Sequence, residues 1–289
     1  MTAPNTVTVD APAKVNLFLR VLGRRPDGYH DLESLVMPVS LADRLRVHAH
    51  NDPSRFRTLS LSLGIVGEPR LVRSVPPDES NLVIRAAAAL AERAGVRGFA
   101  EFELEKRIPS PAGLGGGSSD AAAALRALND LWGCGLDGTS LAEVAAAVGS
   151  DVPALLAARP VLVGGRGEDV EYRQAGPFDM ALVTFDFGVR TVDAYRWWDE
   201  DGGGTGPDPA PVLDAAARGD LEAVAGLVRN DLEAPVARRH PQIAAAEERL
   251  LAAGAMACVM CGSGPTVAGL LRPGSDLDLP GAIRVRTIG

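Results

Sequence analysis

Residues 109–125 read PSPAGLGGGSSDAAAAL, a run for which a hydrophobic core has no use. Glycines stand at 113, 115, 116 and 117, with Ser118 and Ser119 after them. The stretch follows an alternating strand pattern, FAEFEL at 99–104. It enters an alanine-rich helical run, SDAAAALRALNDL at 119–131. Glycine lets backbone N–H groups approach a ligand with no side chain in the way. The unpaired N–H groups and dipole of a helix start favour an anion. Ser118 or Ser119 is the expected N-cap, and both hydroxyls can reach phosphate or a metal. The predicted role is a phosphate cradle. No Gly-Lys-Ser/Thr closes the loop, so it is not a Walker A loop. Serine stands where a dinucleotide fingerprint needs its third glycine, and Pro109 and Pro111 break the tight turn. A flexible linker would not sit between a strand and a capped helix.

The rest of the chain reads as mixed strand and helix. Strands are predicted in TVTVDAPAKVNLFLRVLG, RLRVHAH and RTLSLSLG, with a turn at Pro26-Asp27-Gly28. Helices are predicted at 81–94, ended by Gly95, at 141–148, and from SDVPALLAA with Pro153 in its first turn. RPVLVGGRGEDVEYR is strand, turn, strand. Another strand covers 180–185, and no structure is assigned to DEDGGGTGPDPAP at 199–211. Helices near 212–229 and 241–253 precede strands at 256–261 and in TVAGLL. The order favours an α+β fold in two parts, 1–160 and 161–289.

Composition narrows the function. At 46% hydrophobic and 23% charged, the chain reads as soluble and globular. The N-terminus lacks a signal-peptide pattern and no stretch is long enough to span a membrane, so a cytoplasmic location is expected. The net charge of −8 argues against a nucleic-acid partner. Cys134, Cys258 and Cys261 are too few for a disulfide framework. Cys258 and Cys261 spell C-x-x-C, but positions three apart on a strand face opposite sides. Only Lys14 and Lys106 among the 29 basic residues are lysine. A general preference for arginine does not explain them, and a compact ammonium fits where a wide guanidinium fork does not.

Three stretches, APAKVNLFL, PSPAGLGGGSSDAAAAL and CGSGPTVAG, resemble the three motifs of the GHMP kinases. RPDGYHDLESL at 25–35, GSDVP at 149–153 and GRGE at 165–168 point to the branch acting on a cytidine-diphosphate-linked methylerythritol. The resemblance runs from about residue 8 to residue 271. It implies a two-domain fold with the active site in the cleft between domains. It implies ATP-dependent phosphorylation of the tertiary 2-hydroxyl of the methylerythritol unit, a step towards isoprenoid precursors outside the mevalonate route, with Mg²⁺ as cofactor. Lys14 and Asp151 match the catalytic pair. On the nucleotide side stand Pro109, Ser110, Pro111, Ala112, Gly113, Leu114, Gly115, Gly116, Gly117, Ser118 and Ser119, with Asn81 and Lys106 near adenine. Tyr29 and His30 match the cytosine contacts and Tyr195 a second stacking ring. Asn16 and Thr191 match the methylerythritol and diphosphate end.

Each position also has a plainer reading. Asp151 before Val-Pro would serve as a helix N-cap. If catalytic, it either takes the proton as the phosphoryl group arrives or only orients the hydroxyl. Tyr29 could be a surface turn residue and Lys106 a strand-end charge. TFDFGVRTVDAY departs from the family's usual approach to its aromatic, which bears on Thr191 and Tyr195. The tail after Leu271 is too short for the family's usual last helix. A homoserine-type kinase and a non-catalytic nucleotide-binding protein are the other readings. DGYH and GRGE speak against the first, and Lys14 with Asp151 against the second.

Overall fold

The computed structural model describes residues 5–289. The elements in chain order begin with β1 (Asn5–Arg24), β2 (His30–Asn51), β3 (Ser60–Gly67), α1 (Pro69–Val72), α2 (Leu82–Ala94), β4 (Gly98–Lys106) and α3 (Gly116–Leu131). Next come α4 (Gly138–Val148), α5 (Val152–Leu155), β5 (Val161–Gly164), β6 (Asp169–Tyr172), β7 (Asp179–Val183) and α6 (Thr191–Glu200). The last are α7 (Ala210–Ala217), α8 (Leu221–Ala225), β8 (Arg229–Asn230), α9 (Glu233–Arg239), α10 (Gln242–Ala252), β9 (Ala257–Met260), β10 (Val267–Leu271) and β11 (Ile283–Arg286). No helix among the described residues is long and apolar enough to cross a membrane.

The chain forms two compact units that are not two contiguous halves. Unit 1 holds residues 5–13, 41–109 and 115–158, and unit 2 holds 14–40, 110–114 and 159–289. A single cut at 160 misassigns two segments because β1 and β2 each begin in one unit and end in the other. The glycine loop likewise changes unit between Leu114 and Gly115.

In unit 1, β3 runs parallel to β4, and β4 pairs antiparallel with Arg44–Asn51 of β2. Helix α2 starts at Asn81, whose side chain caps Val83 N, and ends at Gly95, where φ is +67°. Glycine reaches that left-handed turn without the Cβ penalty. Ala86, Ala87 and Ala91 of α2 and all five alanines of α3 are buried with Leu90, Leu125 and Leu128 in one core. Small side chains there let the two helices approach closely.

In unit 2, β9, β10, β7 and β11 form an antiparallel sheet in the order β11-β7-β10-β9. Its core gathers Met260, Val267 and Leu271 with Val236, Ile243 and Leu250 from α9 and α10. Ser34–Val36 of β2 pair with β5, which pairs with β6. Phe18 and Leu19 of β1 run parallel to Arg229 and Asn230 of β8.

Several elements depart from the sequence reading. The residues between the Pro26-Asp27-Gly28 turn and RLRVHAH continue as β2, because Ser34–Val39 are all buried and so show no alternation. The helix expected at 212–229 is two helices, broken at Gly219 with φ +65°. Helix α9 contains Pro235, which hid it. The short tail supplies β11, a strand against β7 rather than a helix.

Candidate active site

Unit 1 carries the second half of the glycine loop. Helix α3 begins at Gly116 with Gly115 as N-cap at φ +69°, so Gly116, Gly117 and Ser118 form its first turn. The serines expected as N-cap are inside the helix, because only glycine takes the left-handed cap without strain. The N–H groups of that turn belong to Gly116, Gly117 and Ser118, so two of the three carry no side chain to block a phosphate.

Beneath this turn lies a buried ionic cluster. Lys106 Nζ donates to Asp120 Oδ2 at 2.8 Å and to Asp43 Oδ2. All three residues are buried, with exposures of 3%, 2% and 0% for Lys106, Asp120 and Asp43. The other Asp43 oxygen accepts from the backbone N–H of Arg107 and, at 2.9 Å, of Ile108. The cluster therefore ties the chain entering the glycine loop to the first turns of the helix leaving it. Burial pushes the Asp120 carboxyl up to about 7, against the pull of the Lys106 ammonium. Lys106 is thus not a free cation beside a nucleotide; its charge is spent on two carboxylates. A Cβ on Gly116 would lie 3.2 Å from Ile108 Cγ2 and 3.4 Å from Lys106 Nζ. Asn81 is also committed, since its amide donates to Pro76 O at 2.7 Å while its oxygen caps α2.

Asp151 occupies the N-cap position of α5, yet its side chain makes no capping hydrogen bond. It is exposed. The plain helix-cap reading therefore fails on geometry.

Unit 2 carries Lys14. Its side chain is buried at 6% exposure, and its Nζ donates to Asn16 Oδ1 at 2.7 Å. The Asn16 amide donates to Ser34 Oγ at 2.8 Å, and Ser34 Oγ donates to Phe18 O at 2.7 Å. Lys14 N donates to Leu114 O at 2.9 Å, fixing the first half of the glycine loop. That half packs on the third motif, where a Cβ on Gly113 would lie 2.3 Å from Cys261 O. A Cβ on Gly262 would lie 2.8 Å from Lys14 Nζ, so the ammonium rests directly on that glycine. Thr191 begins α6, and its Oγ1 lies 3.3 Å from Ser263 Oγ.

Tyr29 is 60% exposed, with the Arg166 guanidinium 5.2 Å from its ring centroid. The Tyr195 ring stacks on His30 at 4.8 Å and 22°. His30 Nε2 lies 2.9 Å from Asp199 Oδ1. Tyr195 and Asp199 are four apart on α6, so they share a face and together hold the imidazole. One face of Tyr195 is therefore taken by His30 rather than left open. Burial pushes the Cys258 and Cys261 thiols up to about 12, which disfavours the thiolate that a nucleophile or metal ligand needs.

Sequence reasoning missed Ser34, Asp43 and Asp120. A buried lysine demands counter-charges, but nothing in the spacing pairs residue 106 with 43.

The family's sequence profiles decide the class. That of the GHMP kinase N-terminal domain matches residues 81–159, and that of the C-terminal domain matches 212–279. A 4-diphosphocytidyl-2-C-methyl-D-erythritol kinase of Symbiobacterium thermophilum is 44% identical over 91% of this chain and 90% of its own. The chain belongs to the GHMP kinases. GHMP kinases use ATP as phosphate donor, and the chain is a small-molecule kinase. A kinase of the same name from Moorella thermoacetica is 41% identical, covering 93% of this chain and 92% of its own. A crystal structure of 4-(cytidine 5'-diphospho)-2C-methyl-D-erythritol kinase superposes with a TM-score of 0.78 at 36% identity, covering 98% of this chain and 100% of that one. A homoserine kinase from Cytophaga hutchinsonii, with a TM-score of 0.68 and 19% identity over 93% of this chain and 86% of its own, shares the fold.

Proposed function

We propose that this GHMP kinase transfers the γ-phosphoryl group of ATP to the 2-hydroxyl of 4-(cytidine 5'-diphospho)-2-C-methyl-D-erythritol. The observation that carries this is identity of 44% and 41% to kinases of that name, each across more than nine tenths of the chain. The hydroxyl oxygen bonds to the γ-phosphorus, the bond from that phosphorus to the β-γ bridging oxygen breaks, and ADP leaves. Lys14, a point charge aimed by Asn16, stabilises charge on the transferring group. Asp151, whose carboxylate is not used to cap α5, takes the hydroxyl proton as the phosphoryl group arrives.

The loop from Pro109 to Ser119 holds the nucleotide phosphates through glycine N–H groups and the start of α3. Lys106 and Asn81 serve it indirectly, Lys106 by tying both ends of the loop and Asn81 by capping α2. Asn16 and Thr191 take the polyol and diphosphate end. Tyr29, His30 and Tyr195 take the cytosine.

Among the described residues no cluster of three or more His, Cys, Asp or Glu side chains could hold a metal ion. Magnesium prefers phosphate oxygens, waters and few protein ligands, so Ser118, in the first turn of α3, would hold it together with the nucleotide phosphates. When bound it supplies neutralisation of phosphate charge.

The test is an ADP-release assay with the cytidine-linked polyol beside homoserine and mevalonate. Turnover confined to the first supports the reading. Preference for either of the others overturns it.

A further inference from the structure

The stretch Asn230-Asp231-Leu232-Glu233 lies outside all three family motifs, yet Asn230 bonds into the third and Glu233 bonds to Met260, the residue before it. Asn230 is buried at 6% exposure. Its amide nitrogen donates to Met260 O and to Gly262 O, each at 2.7 Å, and its oxygen accepts from Leu232 N at 2.9 Å. All the donors and one acceptor of the amide are thereby used. Glu233 Oε2 accepts from Met260 N at 2.6 Å. Asp231 accepts from Val21 N and Gly206 N, both at 3.0 Å, and its own N–H donates to Leu19 O at 2.9 Å. Asn230, Asp231 and Glu233 thus tie the third motif and the residue before it to β1, the strand that carries Lys14.

The Gly262 carbonyl is the informative partner. The Gly262–Ser263 peptide is trans, since among the described residues the cis bonds are those before Pro111, Pro177 and Pro265. In a planar trans peptide the carbonyl and the next N–H point in opposite directions. Asn230 pulls the Gly262 carbonyl to its own side, so the Ser263 N–H faces away from it. Gly262 at φ +56° is in the left-handed region that glycine tolerates, and Lys14 rests on it. Thr191 Oγ1 is 3.3 Å from Ser263 Oγ. The Ser263 N–H therefore belongs to the same neighbourhood as Lys14 and Thr191.

We propose that Asn230 is a positioning residue that locks the Gly262–Ser263 peptide so that the Ser263 N–H is presented, beside Lys14, to an anionic oxygen of the phosphoryl acceptor. This rests on the kinase reading above. A donor held in advance costs no reorganisation when charge develops, whereas an unlocked peptide can flip and offer its carbonyl instead. Gly262 has no Cβ to resist a flip of this peptide, so the bond from Asn230 is what fixes it.

Asn230→Asp tests this with an isosteric change. The ionised carboxylate keeps the acceptor for Leu232 N but repels both carbonyls. With the cytidine-linked polyol as acceptor, kcat/KM should fall about 10²- to 10³-fold, the scale for loss of one such donor. The KM for ATP should stay within about twofold, since the N–H groups that open α3 belong to the other unit and none is a partner of Asn230. Protonation restores one donor, so the variant's activity relative to wild type should rise as pH falls through the carboxyl's range. Unchanged kinetics, or a loss shared equally by both substrates and flat with pH, overturns the proposal. If Asn230→Asp does not fold, Asn230→Ser, which keeps one small donor, must show the same selective loss. Wild-type protein without turnover of the cytidine-linked polyol overturns the substrate reading. Wild-type turnover with an unaffected variant overturns only the positioning role.

Discussion

Lys14 Nζ sits 2.7 Å from Asn16 Oδ1, and the site of a Cβ on Gly262 is 2.8 Å away from the same nitrogen. The ammonium is held between an acceptor and a bare backbone. A guanidinium has neither the room nor the single-point geometry to replace it.

Lys14→Arg should therefore lose at least about 100-fold in kcat despite keeping its charge, because small misplacement at the reacting centre costs that much. Steady-state assays on protein with an unaltered circular dichroism spectrum check this. A near-normal kcat would show that the ammonium's shape is unimportant.

Asp151→Asn should lower kcat about 10²- to 10⁴-fold, the usual contribution of a positioned acid or base. Both ligands should still bind. Its Tm should be close to wild type, since Asp151 makes no capping hydrogen bond. A large drop in Tm with little change in kcat would return Asp151 to the role of a helix cap.

The contrast between Asp151 and Lys106 shows how far the sequence carries. The family resemblance makes both of them site residues, Lys106 being also one of only two lysines, and each has a plain structural alternative. For Asp151 the structure removes the alternative. For Lys106 it shows a buried ion pair with Asp43 and Asp120 instead of a free charge. Local patterns made the strands flanking the glycine loop and the cap of α2 legible. Contacts between distant segments were not, because no periodicity links 14 with 262 or 230 with 260. The long β2 was hidden for a related reason: Ser34–Val39 are buried throughout, so the alternation that marks a half-buried strand is missing.

The buried cluster predicts a pH dependence of stability. The Asp120 carboxyl rises from its ordinary 3.8 to about 7 in the folded chain, chiefly through burial. Between those values the native state binds more protons than the unfolded one, so stability falls as pH rises. Above about 7 that contribution is flat. Asp120→Asn removes the titrating group while Asp43 still faces Lys106. Its Tm relative to wild type should increase between pH 5 and pH 8. A difference in Tm that does not change over that interval would show that Asp120 titrates in its ordinary range.

Asp199 accepts from His30 Nε2 at 2.9 Å, so a neutral imidazole carries its proton there and Nδ1 is an acceptor. Cytosine offers an exocyclic amine to such an acceptor, whereas uracil presents a carbonyl and leaves it unpaired. Asp199→Ala frees the tautomer, and the preference for the cytidine substrate over its uridine analogue should shrink. Tyr29, exposed at 60%, keeps a ring available for stacking, while Tyr195 already has His30 on one face. Stacking a base on a ring is worth about 1–3 kcal/mol by truncation, so Tyr29→Ala should raise the KM for the cytidine substrate roughly 5- to 150-fold. The ATP KM should be nearly unchanged. Part of the loss should appear in kcat, because binding energy from the remote base helps place the reacting hydroxyl. Equal turnover of the uridine analogue by wild-type protein would sink edge reading by His30. An unaltered KM in Tyr29→Ala would remove the stacking role and move the base to another surface.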